Sequence, residues 1–109
     1  MRTMVFALGI ALAAAASLPA TASARPFAHG DAEEGRALHG EQCVSCHRSM
    51  FNDENGDTIY SADHRKIGNS AHLRQRVEAC ASQVGAGWFE EEIESVSRHL
   101  NEAYYGFEE

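Results

Sequence analysis

The chain has 109 residues, with 9 Lys+Arg against 16 Asp+Glu and a formal net charge of −7. That balance argues against nucleic acid or an anionic membrane surface as a partner, because both are bound chiefly through clustered basic side chains. The length allows one small domain, of a size that often needs a metal, a disulfide or a cofactor to complete its core.

The first residues, Met-Arg-Thr-Met, carry one basic charge and lead into a 14-residue apolar run from Val5 to Leu18. Ala22-Ser23-Ala24 then supplies a small-x-small cleavage pattern. A basic start, a short apolar stretch and such a site predict a secretory signal peptide over residues 1–24. The run is shorter than the roughly 20 residues that span a bilayer. The expected mature chain, Arg25 to Glu109, has 85 residues, and no second long apolar run follows. Its expected location is the periplasm, with no membrane span after cleavage. Losing Arg2 brings its charge to −8, from 8 Lys+Arg and 16 Asp+Glu. An acidic surface of this kind suits a protein partner with a basic docking face, reached by steering that salt weakens. It equally serves plain solubility.

Arg25 to Gly30 read as a loose lead-in. Asp31, with Glu34 three residues on, has the spacing of a capping box and starts a helix through Leu38 toward Cys43. From Arg48 to Ser70 the pattern loses its period, and Asn55-Gly56 within it is a strong turn signal. A partial likeness to a calcium loop in Asp53 to Asp57 lacks the required order of acids and the closing Glu, so a turn is expected. Ser70 is read as the cap of the next helix, whose Leu73, Val77 and Cys80 share one face. Gly85-Ala86-Gly87 ends it. The last helix carries a stripe of Phe89, Ile93, Val96 and Leu100, with Glu90 to Glu92 at the positive end of its dipole. Tyr104, Tyr105 and Phe107 form an aromatic tail expected to fold back on the domain. The chain has no alternating run long enough for a sheet, so the fold class is all-α.

Three cysteines are an odd number for an oxidising compartment, where thiols usually pair. Two stand in Cys43-Val44-Ser45-Cys46-His47. Such a turn offers two thiols to the vinyl groups of a haem and an imidazole to its iron. The competing readings are a redox dithiol, which wants a βαβ context, and half of a zinc site, which wants a second ligand pair; neither is found here. One covalent haem c is therefore expected, on Cys43 and Cys46, with His47 as the proximal iron ligand.

With this motif in place, the chain resembles the class I c-type cytochromes. Gly35-Arg36-Ala37-Leu38-His39 is similar to that family's first-helix pattern of Gly, apolar and usually aromatic, and Ile93, Val96 and Leu100 look like its last helix. The resemblance covers nearly all of Asp31 to Leu100 and implies three to four helices wrapped around one haem. It also implies that Gly35 allows a close crossing with the last helix. The chain departs from the family at His39, where an aromatic is usual, and in Ser82 to Gly87, which has no Met to bind the distal side of the iron.

The sixth ligand is thus open. Cys80 is the first candidate, since thiolate ligation of haem is established chemistry; a buried free thiol or an intermolecular disulfide are its alternatives. His64 and His72 rank next. Gln83 is a weak donor, Met50 stands too near His47 to cross the ring readily, and five-coordinate iron is a further option. Trp88-Phe89 reads most simply as core, with packing on the haem edge as an option. Arg65-Lys66 and Arg74-x-Arg76 read as solvated charges by default, with pairing to the propionates as an option. With no catalytic constellation in the sequence, the expectation is a non-enzymatic carrier of single electrons between redox proteins. A haem-based ligand-binding or sensing protein, or the small subunit of a larger oxidoreductase, are the alternatives.

Overall fold

In the computed structural model, residues 9, 13–17 and 25–109 are described, so most of the signal-peptide reading over 1–24 lies outside the described residues. The remaining chain forms α1 (Ala32–Gln42), α2 (Val44–Phe51), α3 (Ser70–Val84) and α4 (Glu90–Leu100). A 3₁₀ turn, Thr58–Tyr60, precedes α3, and a π turn, Asn101–Tyr105, extends α4. Among the described residues there is no strand, and no helix is long and apolar enough to cross a membrane. The fold is all-α.

α1 begins where its cap predicts. The Asp31 carboxylate accepts from the N–H groups of Glu33 and Glu34, at 2.9 and 3.2 Å, answering two of the donors a helix start leaves free. The reciprocal half of the capping box is not supplied by Glu34. Instead the Asp31 N–H donates 2.9 Å to Oγ of Ser95, which is buried on α4. The first turn of α1 is thereby tied to a helix 64 residues away. Ser95→Ala removes that acceptor from a largely closed interface and should cost about 1–2 kcal/mol. The cost reads out as a lower urea midpoint at unchanged slope.

α1 and α4 cross at very short range. A Cβ on Gly35 would overlap the Ser95 carbonyl and lie 2.8 Å from the Val96 backbone nitrogen; one on Gly30 would lie 2.6 Å from the Glu94 carbonyl oxygen. Two bare backbones let the helices touch along the main chain, the packing role glycine alone can fill. The lead-in is not loose. Phe27 is buried in the core, and Arg98 Nη1 donates 2.8 Å to the Gly30 carbonyl, pinning the segment to α4. An aromatic in a short polar stretch gave no periodic signal, which is why the sequence reading set it outside the core.

The core is small: Phe27, Tyr60, Leu73, Val77, Ala81, Ile93, Val96 and Leu100. α3 contributes the predicted face, although its cap is Asn69, whose Oδ1 accepts from the His72 N–H at 2.8 Å. α4 buries Ile93, Val96 and Leu100, but Phe89 is not part of that stripe. It is the N-cap residue, 74% exposed, and its N–H donates 3.0 Å to the Glu92 carboxylate. The cap geometry turns Phe89 off the helix face that its spacing suggests. The aromatic tail does fold back: the Asn101 amide clamps both peptide groups of Phe107, at 2.8 and 2.9 Å, and Tyr104 stacks on Tyr60 at 4.5 Å.

The turn expected over Asp53 to Asp57 forms, and a helix the periodicity does not mark precedes it. Val44–Phe51 is helical although it buries no residue completely. Asp53 organises the following turn by accepting from the N–H groups of Asn55, Asp57 and Thr58 and from the Thr58 hydroxyl, at 2.6 to 3.0 Å. These bonds hold its carboxyl well below the usual range, the Thr58 hydroxyl contributing most.

Candidate functional site

The helices enclose a cleft of about 900 Å³, within the range of roughly 300–1,000 Å³ typical of cofactor and ligand sites. α1 and its C-cap give His39 and Cys43, and α2 gives Cys46, His47, Met50 and Phe51. α3 gives Leu73, Val77, Cys80 and Gln83, and Trp88, Val96 and Leu100 also line the cleft. The lining is mainly apolar, with Arg65, Lys66 and Arg76 among the charged groups that line it.

All three residues of the Cys-x-x-Cys-His motif therefore face one cavity, and so does Cys80. Cys43 is buried and Cys46 exposed, and all three thiols are free. Burial pushes the Cys43 thiol up to about 11, with Cys80 and Cys46 as smaller causes, so it stays protonated at neutral pH. His64 also lines the cleft, although exposed; its Nδ1 meets Ser61 Oγ at 2.9 Å and its ring stands edge-on to Phe51. His72 does not. It sits exposed in the first turn of α3, outside the cleft lining, because the helix turns that position toward solvent. Met50 reaches the cleft edge but is 64% exposed. Of the basic residues, Arg74 is engaged with Glu78 at 3.2 Å. Arg65 donates to the Tyr104 carbonyl and lies over the Tyr105 ring.

Two further residues belong to the site and were not singled out from sequence as site residues. Tyr60, from the 3₁₀ turn, places its hydroxyl 3.4 Å from His47 Nδ1 and 2.8 Å from His39 Nε2. His39 is 6% exposed and is held neutral: burial lowers it to about 4, with the nearby His99 and His47 acting in the same direction. Burial likewise raises the Tyr60 phenol far above its ordinary value, so it too is neutral. For His47, burial lowers the imidazole and the Gly56 carbonyl partly offsets this. His39 was visible in sequence only as a polar residue at an aromatic position; its partner stands 21 residues away in the stretch without a pattern.

Chemically, the arrangement offers two thiols and one imidazole from a single turn, a second thiol-bearing helix, an apolar interior and cations at the cleft. Among the described residues no three His, Cys, Asp or Glu side chains are grouped to hold a metal ion by themselves. The chain matches no protein-family model, no curated protein and no solved structure.

Proposed function

We propose that this chain is a small exported c-type cytochrome of the class I kind, carrying one haem attached at Cys43 and Cys46. The observation that carries the reading is the convergence of Cys43, Cys46 and His47 on one apolar cleft of about 900 Å³ with basic residues in its lining. Cys43 and Cys46 would hold the group through thioethers, each S–H adding across a vinyl group with no net oxidation, and His47 would be an iron ligand. Arg65, Lys66 and Arg76 in the cleft lining would supply cations for the propionates, and Trp88 adds an aromatic wall.

A bound haem supplies one-electron redox chemistry. The chain's part is to bury the ring, fix the imidazole and set the potential. The proposed role is single-electron transfer between redox proteins in the periplasm, with no substrate chemistry of its own. The acidic chain suits partners with a basic docking face. The polypeptide portion read as a signal, residues 1–24, would be removed on export.

Cys80 is the proposed distal ligand, because among the alternatives it alone combines a strong donor with a place on the helix face lining the cleft. The test is an EPR spectrum of the ferric protein beside Cys80→Ser. A low-spin thiolate signature that vanishes in the variant is expected. A spectrum unaffected by the substitution removes Cys80 from the iron. If that spectrum is also high-spin, the missing Met favours the second reading, a haem protein that binds a small ligand at a vacant distal site.

A further inference from the structure

The Nδ1 edge of the His47 ring faces the Tyr60 hydroxyl. Once its Nε2 binds iron, Nδ1 must carry the proton, because a neutral imidazole has one donor and one acceptor nitrogen. Nδ1 lies 3.4 Å from the Tyr60 hydroxyl, whose oxygen can accept from a protonated Nδ1. The Tyr60 O–H is then free to donate elsewhere, and His39 Nε2 lies 2.8 Å from that oxygen. His39 is neutral in this buried position, so Nε2 can be its lone-pair nitrogen. One consistent direction of proton donation thus runs from His47 through Tyr60 to His39.

The surrounding packing holds this chain in place. Tyr60 is 8% exposed, stacks on Tyr104 at 4.5 Å and stands edge-on to His47 with ring centroids 5.5 Å apart. His39 is fixed on α1 one turn before Cys43, and its ring lies 5.7 Å from that of His99. Gly56 lies beside the His47 side chain and also acts on the imidazole through its backbone.

Resting on the haem reading above, we propose that Tyr60 is the positioning residue of the proximal ligand, and that His39 orients Tyr60. An acceptor on Nδ1 fixes the imidazole plane and increases its basicity toward the metal, the usual effect of such outer-shell partners. A more basic imidazole favours ferric over ferrous iron. The Tyr60–His39 pair therefore lowers the reduction potential. His39 acquires a specific role at the position where the resemblance leads one to expect an aromatic ring.

The test uses the holoprotein matured with its covalent haem, compared with Tyr60→Phe, His39→Phe and His39→Gln. Covalent haem is read first, from the intact mass under denaturing conditions. The reduction potential and the ferric EPR g-values are then measured on the same samples. Tyr60→Phe keeps the ring and removes only the hydroxyl. It should retain haem and shift the redox equilibrium toward the ferrous state by about tenfold, which for one electron is about 59 mV. His39→Phe should shift it the same way by a smaller factor. His39→Gln, whose amide oxygen can accept from Tyr60, should stay nearer the wild type. Haem-bearing Tyr60→Phe and His39→Phe with unchanged or lowered potentials and unchanged g-values overturn the inference while leaving the haem reading intact. Wild-type protein without covalent haem overturns both.

Discussion

Gly35→Ala should cost about 3 kcal/mol or more and leave little folded protein at 37 °C. Overpacking a filled core ordinarily costs about 1–3 kcal/mol because side chains move aside. Here the group in the way is backbone: the new methyl would overlap the Ser95 carbonyl and lie 2.8 Å from the Val96 nitrogen. Neither can rotate away, so α1 and α4 must separate. Separation also withdraws Ser95 Oγ from the Asp31 N–H and loosens the contact of Arg98 with the Gly30 carbonyl. A methyl at Gly40, where no atom lies within 4 Å of the added Cβ, is the control. Gly40→Ala should be neutral or slightly stabilising, since alanine is the better helix former. Thermal unfolding of the two variants separates a packing clash from any general effect of replacing glycine.

The second large effect is expected when both thiols are removed. Cys43→Ala/Cys46→Ala should yield protein with no haem that survives denaturation and with a poorly fixed tertiary structure. The cleft explains why. The apolar side chains that line about 900 Å³ of cleft lack packing partners on that side, contacts that a haem would supply. The buried core beside the cleft is small, eight residues among those described. The haem is thus expected to act as the missing part of the core. Near-UV circular dichroism should be strongly reduced in the double variant while far-UV helicity persists in part. A native-like near-UV spectrum in the haem-free variant would show that the polypeptide alone closes the cleft.

Much of this architecture was legible in sequence where a single element carries its own signal. Asp31 caps α1 because its side chain reaches its own next turn, and Ile93, Val96 and Leu100 repeat at the helical period because they meet one core. Leu73, Val77 and Cys80 were placed on one face of α3 for the same reason, and that face lines the cleft. The failures lie where structure depends on distant partners. Phe27 joins the core through a segment held by Arg98, which is 68 residues away from the Gly30 carbonyl it binds. Phe89 has helical spacing, yet its cap conformation turns it to solvent. α2 carries the motif without an apolar stripe, so no periodicity marks it.

The candidate site divides in the same way. Cys43, Cys46 and His47 are local, and their spacing states their chemistry. Cys80 and His64 reach the same cleft, whereas His72, two residues from the start of α3, points away from it. Tyr60 and His39 could be joined only by the fold, because neither residue alone differs from an ordinary half-polar core position. Their hydrogen bond joins His39, visible only as a departure from the family pattern, to an unremarked Tyr60 beside His47.

The central claim is that this polypeptide carries one covalent haem through Cys43 and Cys46. Intact mass spectrometry tests it most directly, on full-length chain exported in a host that attaches haem c and unfolded before measurement. The predicted result is a single species with the mass of residues 25–109 plus one haem, lowered to the bare polypeptide in Cys43→Ala/Cys46→Ala. Wild-type protein at the bare polypeptide mass, with its thiols free to react with an alkylating agent, would contradict it.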